Sequence, residues 1–224
     1  MKIAIIIARG NSSRIKNKNI KFFFGEPIIK KTFTLIKSFK IFDKIILSTD
    51  SGKIINVCKN LGFNQIIIRP KKLGKNEVST NKVVNHTIDQ LNYQNKIKYM
   101  CCVYPCSPLI EKKNILKSFK LLKTNKDFIF PLLEFPEPIE QALRLLSNNK
   151  LEYISIKDSK KNTQLFSKKY YDSGQFYTST IFGWRSKKKT LKGFVLPKYS
   201  TVDIDDVEDW NFAKYLFFKK NGKN

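Results

Sequence analysis

The chain has 224 residues, 42% hydrophobic and 27% charged, and this composition excludes a disordered chain, a collagen and a disulfide-stapled miniprotein. No apolar run approaches the ~20 residues of a membrane-spanning helix, and the run at residues 3–8 is too short for the core of a signal peptide. The four cysteines show no CxxC pair or zinc spacing, so we expect reduced thiols in the core of a cytoplasmic protein.

The formal net charge of +25, from 43 basic and 18 acidic residues, would attract any polyanion. Only five of the basic residues are arginines, and the lysines are spread through the whole chain. Because nucleic-acid modules rely on arginine for bidentate contacts, we expect no nucleic-acid partner. A basic nucleic-acid-binding protein is nevertheless the alternative from another functional class. A small anionic substrate would profit from the same charge.

Short apolar runs alternate with amphipathic segments through the first 133 residues. The runs predict strands buried on both faces, at residues 2–8, 44–49, 65–68, 99–104 and 128–133. The segments between them have apolar residues at helical spacing and predict helices around residues 27–39, 55–61, 84–91 and 115–122. This alternation predicts an α/β fold with a mainly parallel sheet covered by helices on both faces. In such sheets, ligands bind at the carboxyl ends of the strands.

The alternation is interrupted between residues 134 and 169. This stretch contains two prolines, a possible hairpin around Asn148-Asn149 and a segment rich in Lys, Ser and Asn. We interpret it as a lobe inserted into a single domain that spans residues 1–224. A strand over residues 175–182 and a helix over residues 206–219 are predicted to return the chain to the core.

The loop after the first strand has the character of a phosphate-binding site. It consists of Ala8, Arg9, Gly10, Asn11, Ser12, Ser13 and Arg14, and Lys18 follows shortly after. Backbone amides in such a loop can hold phosphate oxygens, while Arg9, Arg14 and Lys18 balance their charge. The loop is neither a Walker A nor a GxGxxG motif, and an ordinary basic turn is the alternative. Two of only five arginines fall in this loop, which favours the phosphate interpretation.

Carboxylates are few in this chain, yet residues 203–206 read Asp-Ile-Asp-Asp. In an extended segment, Asp203 and Asp205 point to the same side, so together they could hold a hard cation such as Mg²⁺. The alternative is a helix cap, with Asp205 and Glu208 forming a capping box. Capping would not explain Asp203. Asp50 ends a predicted strand and either faces the site or caps the next helix.

These motifs resemble a known family. The segment IIIARGNSSRIKNKNIK resembles the opening of the nonulosonate cytidylyltransferases, the CMP-sialic acid synthetase family. FDKIILSTDS, IIIRPKKL, YPCSPL and VDIDDVEDW match the same family in order and spacing. EFPEPIEQAL and YYDSGQFY resemble the branch that acts on pseudaminic acid. Ser13 departs from the family pattern, which has a lysine there.

The resemblance implies a Rossmann-like nucleotidyltransferase fold and the transfer of CMP from CTP to the anomeric hydroxyl of a nine-carbon sugar acid, with release of pyrophosphate. The sugar would be pseudaminic acid, with legionaminic and N-acetylneuraminic acids as alternatives. The cofactor would be Mg²⁺ or another divalent cation. The enzyme would be a homodimer in which the inserted lobe forms the interface and approaches the site of the second subunit.

The resemblance also implies roles for individual residues. Arg9, Lys18, Asp203 and Asp205 would be catalytic, and the two aspartates would bind the metal. The triphosphate would contact Arg9 and Lys18 with help from Arg14 and from the loop at Ala8, Gly10, Asn11 and Ser12. Arg69, Ser79 and Thr80 would lie around the cytosine and ribose. Tyr104 and Gln175 would line the sugar side.

Overall fold

An eight-stranded sheet forms the centre of the computed structural model, which describes residues 1–222. Its strands are β1 (Lys2–Ala8), β4 (Lys44–Thr49), β5 (Gln65–Ile68), β6 (Tyr99–Val103), β7 (Asp127–Glu134), β10 (Tyr170–Asp172), β11 (Phe176–Ser179) and β12 (Thr190–Val195). Two small ribbons pair β2 (Phe22–Phe23) with β3 (Glu26–Pro27) and β8 (Leu143–Leu145) with β9 (Leu151–Tyr153). The helices are α1 (Ile28–Ser38), α2 (Gly52–Cys58), α3 (Thr80–Asp89), α4 (Lys112–Leu121), α5 (Ile156–Ser159), α6 (Ile181–Arg185) and α7 (Val207–Asn221).

The sheet has the strand order β10-β7-β11-β6-β1-β4-β5, and the eighth strand, β12, pairs with β7 outside this path. Strands β5, β4, β1 and β6 are parallel neighbours, whereas β11 runs antiparallel to both β6 and β7. Since β1 lies in the middle of the sheet, its side chains are buried on both faces. The predicted α/β class with a mainly parallel sheet is confirmed.

Two apolar clusters cover the two faces of the sheet. Helices α1, α2 and α4 pack on one face, and α3 and α6 pack on the other. A third cluster joins β2 to α7 around Trp210. All four cysteines are free and buried, and the adjacent Cys101 and Cys102 lie in the clusters on opposite faces. Within residues 1–222, no helix is long and apolar enough to cross a membrane.

Two expectations for the last third of the chain are wrong in detail, and one strand was missed. The strand predicted over residues 175–182 ends at Ser179, because the Thr180 hydroxyl accepts a hydrogen bond from the Gly183 amide (3.0 Å) and begins α6. Strand β12 was not predicted from the sequence. The cap of α7 is Asp206 with Asp209, not Asp205 with Glu208.

The segment predicted as an inserted lobe lies between β7 and β10. It contains the hairpin β8–β9, whose turn includes Asn148 and Asn149 in the left-handed conformation, followed by α5. Asparagine tolerates this conformation better than most residues, which explains why the turn forms there. In the hairpin register, Leu143 faces Tyr153 and Leu145 faces Leu151.

Candidate active site

A cavity of about 260 Å³ opens at the carboxyl ends of β1 and β6. Charged and polar residues from distant parts of the chain meet there, among them Arg9, Lys18, Arg69, Tyr104, Asp203 and Asp205. Parallel strands bring their following loops to one edge of the sheet, which is why residues almost 200 positions apart share this cavity. An adjoining cavity of about 410 Å³ is lined by Gly10, Asn11 and Asp50 and shares Arg9.

The loop after β1 is held in place by contacts from three directions. Nη1 of Arg9 donates to Oδ1 of Asn76 (2.6 Å), and the side-chain amide of Asn19 donates to the backbone carbonyl of Arg9 (2.7 Å). The backbone amide of Gly10 donates to Oδ1 of Asp50 (3.0 Å). A Cβ on Gly10 would lie 2.7 Å from Cβ of Ser51, so the close approach of the two loops requires glycine there. The loop therefore presents Arg9 to the cavity on a fixed backbone.

Lys18 joins this loop to the aspartate segment. Its ammonium donates to the carbonyl of Ile204 and lies 3.4 Å from Oδ1 of Asp205. The exposed Arg14 pairs with the other oxygen of Asp205 (2.9 Å). Two cations and one carboxylate thus lie together at the rim of the cavity. A phosphate entering here would compete with Asp205 for Lys18 and Arg14.

Arg69 lines the cavity, although little of its side chain is exposed. Its guanidinium is almost fully buried, donates to the Ser48 carbonyl (3.0 Å) and pairs with Oδ1 of Asp50 (3.2 Å). Burial lowers the pKa of Arg69, and the Asp50 carboxylate opposes that shift. A Cβ on Gly74 would lie 2.1 Å from Oδ2 of Asp50, so the carboxylate is packed against this glycine. Asp50 therefore connects Arg69 to the phosphate loop, a role that the sequence did not reveal.

The Asp203 carboxylate lies against Gly174 and faces the cavity. Gly174 has φ +63, and a Cβ there would lie 2.3 Å from Cγ of Asp203. The surrounding protein raises the pKa of Asp203 to about 6 by removing water from the carboxylate, and the nearby Asp205 carboxylate adds to the shift. Two carboxylates that repel each other beside a cavity are suitable oxygen ligands for a divalent cation, which would relieve the repulsion.

Residues 1–222 contain no group of three or more His, Cys, Asp or Glu side chains arranged to hold a metal ion. Asp203 and Asp205 would therefore supply only part of the coordination shell. Mg²⁺ usually keeps several waters and binds through one or two carboxylates together with substrate phosphates. The residues present fit that mode of binding.

Hydroxyl groups connect the floor of the cavity to a further carboxylate. The hydroxyls of Tyr104 and Thr80 share a hydrogen bond (2.9 Å), and the Tyr104 and Tyr177 rings lie edge to face with centroids 5.7 Å apart. Tyr177 donates to Asp172 through a short hydrogen bond. Burial raises the pKa of both tyrosines, so both stay protonated. Tyr104 lines the cavity and can donate to a ligand, whereas Tyr177 donates its proton to Asp172. Sequence analysis did not single out Tyr177 or Asp172 as site residues.

Several expected residues lie outside the main cavity. Ser79 caps α3, where its hydroxyl accepts from the Lys82 amide (3.4 Å). Gln175 is buried and donates to Oγ1 of Thr201 (2.8 Å). Ala8 is buried at the end of β1, and Arg14 lies outside the cavity lining. Ser12 and Thr80 do line the cavity. The roles assigned to all these residues stay predictions.

Solved structures match this architecture over almost the whole chain. A CMP:2-keto-3-deoxy-manno-octonic acid synthetase in complex with CTP matches with a TM-score of 0.68 and 11% identity, over 98% of this chain and 99% of that one. A 4-diphosphocytidyl-2C-methyl-D-erythritol synthase from Anaerococcus prevotii matches with a TM-score of 0.60 and 15% identity, over 96% and 97% of the two chains. The chain therefore has the same fold as these two enzymes.

Sequence similarity narrows the class further. A family model described as "Cytidylyltransferase" matches residues 3–197. A pseudaminic acid cytidylyltransferase of Campylobacter jejuni is 35% identical over 96% of this chain and 95% of that protein. An N-acylneuraminate cytidylyltransferase of Escherichia coli is 24% identical over 98% of this chain and 52% of that protein. The chain belongs to the cytidylyltransferase family, and the resemblance found in its motifs is confirmed.

Proposed function

We propose that this enzyme transfers CMP from CTP to the anomeric hydroxyl of pseudaminic acid and releases pyrophosphate. The observation that carries the proposal is the 35% identity, over nearly the whole of both chains, to the Campylobacter jejuni enzyme named for this activity. The four buried, free thiols suit a cytoplasmic enzyme.

The cavity supports the proposal through the charges that it brings together. Arg9 and Lys18 would hold the triphosphate, and Arg14 would assist once a phosphate displaces Asp205 from it. The sugar acid would occupy the side of the cavity near Tyr104, whose hydroxyl can donate to it. In-line attack on the α-phosphorus needs aligned reactants and neutralised charge more than a strong base. Arg9, Lys18 and Arg14, beside the two aspartates, would align the triphosphate and neutralise its charge.

Asp203 and Asp205 would hold Mg²⁺ or another divalent cation. When bound, the cation neutralises phosphate charge and lowers the pKa of the hydroxyl group that it contacts. The protein's own part is to hold the Asp203 carboxylate against Gly174 and to keep Lys18 beside Asp205.

Pyrophosphate release from CTP and Mg²⁺ tests the function, with pseudaminic, legionaminic and N-acetylneuraminic acids offered separately. We expect release with pseudaminic acid at a kcat/KM at least tenfold above that with the other two. Release with only another sugar acid would keep the cytidylyltransferase activity and refute the choice of sugar. No release with any of the three from folded protein would refute the proposed reaction.

We further propose that the enzyme is a homodimer joined through the hairpin β8–β9. Leu143, Leu145, Leu151 and Tyr153 are exposed, and their register puts all four on one face of the hairpin. Arg144 and Glu152 pair on the other face (3.4 Å). A two-stranded hairpin is marginally stable alone, so an apolar face on one calls for a partner surface.

Light scattering of the full chain tests the dimer. We expect a mass of about 52 kDa, twice the 26.2 kDa of one chain. The double variant Leu145→Glu and Leu151→Lys should be monomeric, because it puts charges on the apolar face. Arg144→Gln, on the opposite face, is the matched control and should stay dimeric. A monomeric wild-type protein at micromolar concentration would contradict the proposal.

A further inference from the structure

The position of Asp203 depends on side-chain contacts. Residues 197–206, all of them described, form no strand or helix and connect β12 to α7. The far end of this connector is held by the buried Ile204, whose carbonyl accepts from Lys18. The near end is attached where the Leu196 amide donates to the Leu132 carbonyl (2.8 Å). The middle of the connector, around Thr201, requires its own attachment if the Asp203 carboxylate is to stay at the cavity.

Gln175 supplies that attachment. Its side-chain amide donates to Oγ1 of Thr201 (2.8 Å), two residues before Asp203, and both side chains are at least 95% buried. The backbone of Gln175 is itself fixed, because its carbonyl accepts from the amide of Tyr104 (3.0 Å). The hydrogen bond therefore ties the connector to a rigid part of the sheet.

The residue before Gln175 forms the surface on which Asp203 rests. The amide of Gly174 donates to Oδ1 of Asp172 (3.0 Å), and the amide of Ser173 donates to the carbonyl of Pro131 (3.1 Å). These bonds fix the turn that leaves Gly174 with no room for a Cβ beneath the Asp203 carboxylate. Gly174 limits how far Asp203 can move inward, and the Gln175–Thr201 bond limits how far the connector can move away.

We propose that Gln175 is a positioning residue that acts through Thr201 to hold the Asp203 carboxylate at the cavity. The resemblance implied a direct contact with the sugar, but Gln175 is not among the residues that line the cavity, and its side-chain amide already donates to Thr201. The inference rests on the proposed function, because it concerns the metal-binding role of Asp203.

A double-mutant cycle on the full chain tests the inference. Gln175→Leu, Thr201→Val and the double variant are compared for Mn²⁺ affinity, read from water proton relaxation of the Mn²⁺–CTP–enzyme complex without sugar. We expect about tenfold weaker Mn²⁺ binding in each single variant, the effect of one neutral hydrogen bond. The double variant should be no weaker than the singles. Thr201→Ser, which keeps the hydroxyl, should restore affinity to within about twofold, and the KM for the sugar acid should not change.

Thr178→Val is the matched control, since Thr178 is also a buried threonine but does not line the cavity, and its hydroxyl donates to the carbonyl of Ile129 (3.5 Å). It should leave Mn²⁺ affinity unchanged. If Thr201→Val does not fold, Thr201→Ala removes the same hydroxyl without adding a methyl group to a packed site.

Three results would overturn the positioning role. The first is a raised KM for the sugar acid in Gln175→Leu alone, which would indicate direct contact. The second is unchanged Mn²⁺ affinity in both single variants, whatever their stability. The third is a wild-type protein that binds no Mn²⁺. The turnover assay of the wild-type protein tests the proposed reaction separately, because Mn²⁺ binding is measured without sugar. If the variants bind Mn²⁺ more weakly but the wild-type protein shows no turnover, the proposed reaction is refuted and the positioning role is supported.

Discussion

Asp50→Asn tests whether the buried ion pair with Arg69 holds the floor of the site together. Removing one partner of a buried pair costs about 3–5 kcal/mol, because the other charge is left uncompensated. Arg69 and Gly10 both donate to Oδ1 of Asp50, and the amide oxygen of asparagine can still accept from both, so we expect the lower end, about 3 kcal/mol. With a urea m-value of about 3 kcal/mol/M for a chain of this size, the unfolding midpoint should fall by about 1 M.

The control is a shorter but exposed ion pair. Arg185 and Asp89 lie 2.6 Å apart, against 3.2 Å for Arg69 and Asp50, yet their side chains are about half exposed. Asp89→Asn should cost less than about 1 kcal/mol, because water screens exposed pairs. Urea unfolding followed by circular dichroism compares the two variants. Similar losses from both, or a loss below about 1 kcal/mol for Asp50→Asn, would refute the argument that burial and not distance sets the cost.

Four further outcomes can be measured. Asp203→Asn should remove most pyrophosphate release while circular dichroism stays unchanged. Gly174→Ala should lower kcat, because its Cβ would lie 2.3 Å from Cγ of Asp203. Trp210→Ala should cost roughly 3–5 kcal/mol in thermal unfolding by leaving a core cavity, with kcat of the folded fraction retained. Since the pKa of Asp203 is about 6, protons compete with the cation as the pH falls below 6, and the Mg²⁺ concentration for half-maximal rate should rise about tenfold per pH unit there.

The sheet could be predicted from the sequence because its central strands are buried on both faces. Such strands are continuous apolar runs with clear ends, and β1 and β4 match their predicted bounds. Strand β12 has the opposite character, since four of its six residues are exposed and one of these is Gly193. An edge strand of this kind leaves no hydrophobic pattern to detect. Only its pairing with β7 identifies it.

The site could be predicted in part. Loops at strand ends pointed to Arg9, Lys18 and Asp203, which the cavity brings together. The pairing of Asp50 with Arg69 depends on the lateral order of β4 and β5, which periodicity does not specify. The cap of α7 was misplaced by one residue, because Asp205 and Asp206 are both good capping residues and the choice depends on tertiary contacts. With Asp206 as the cap, Asp205 is left to pair with the two cations at the rim.

The four buried cysteines can report local opening of each apolar cluster, because every cluster contains at least one of them. Cys58 and Cys101 lie in the cluster on one face, Cys102 in the cluster on the other, and Cys106 in the cluster around Trp210. Burial raises the pKa of Cys58 and Cys106 to about 12, so neither thiol forms the reactive thiolate while its cluster stays closed. Under native conditions, the rate at which each thiol is alkylated therefore reports how often its layer of the core opens to water.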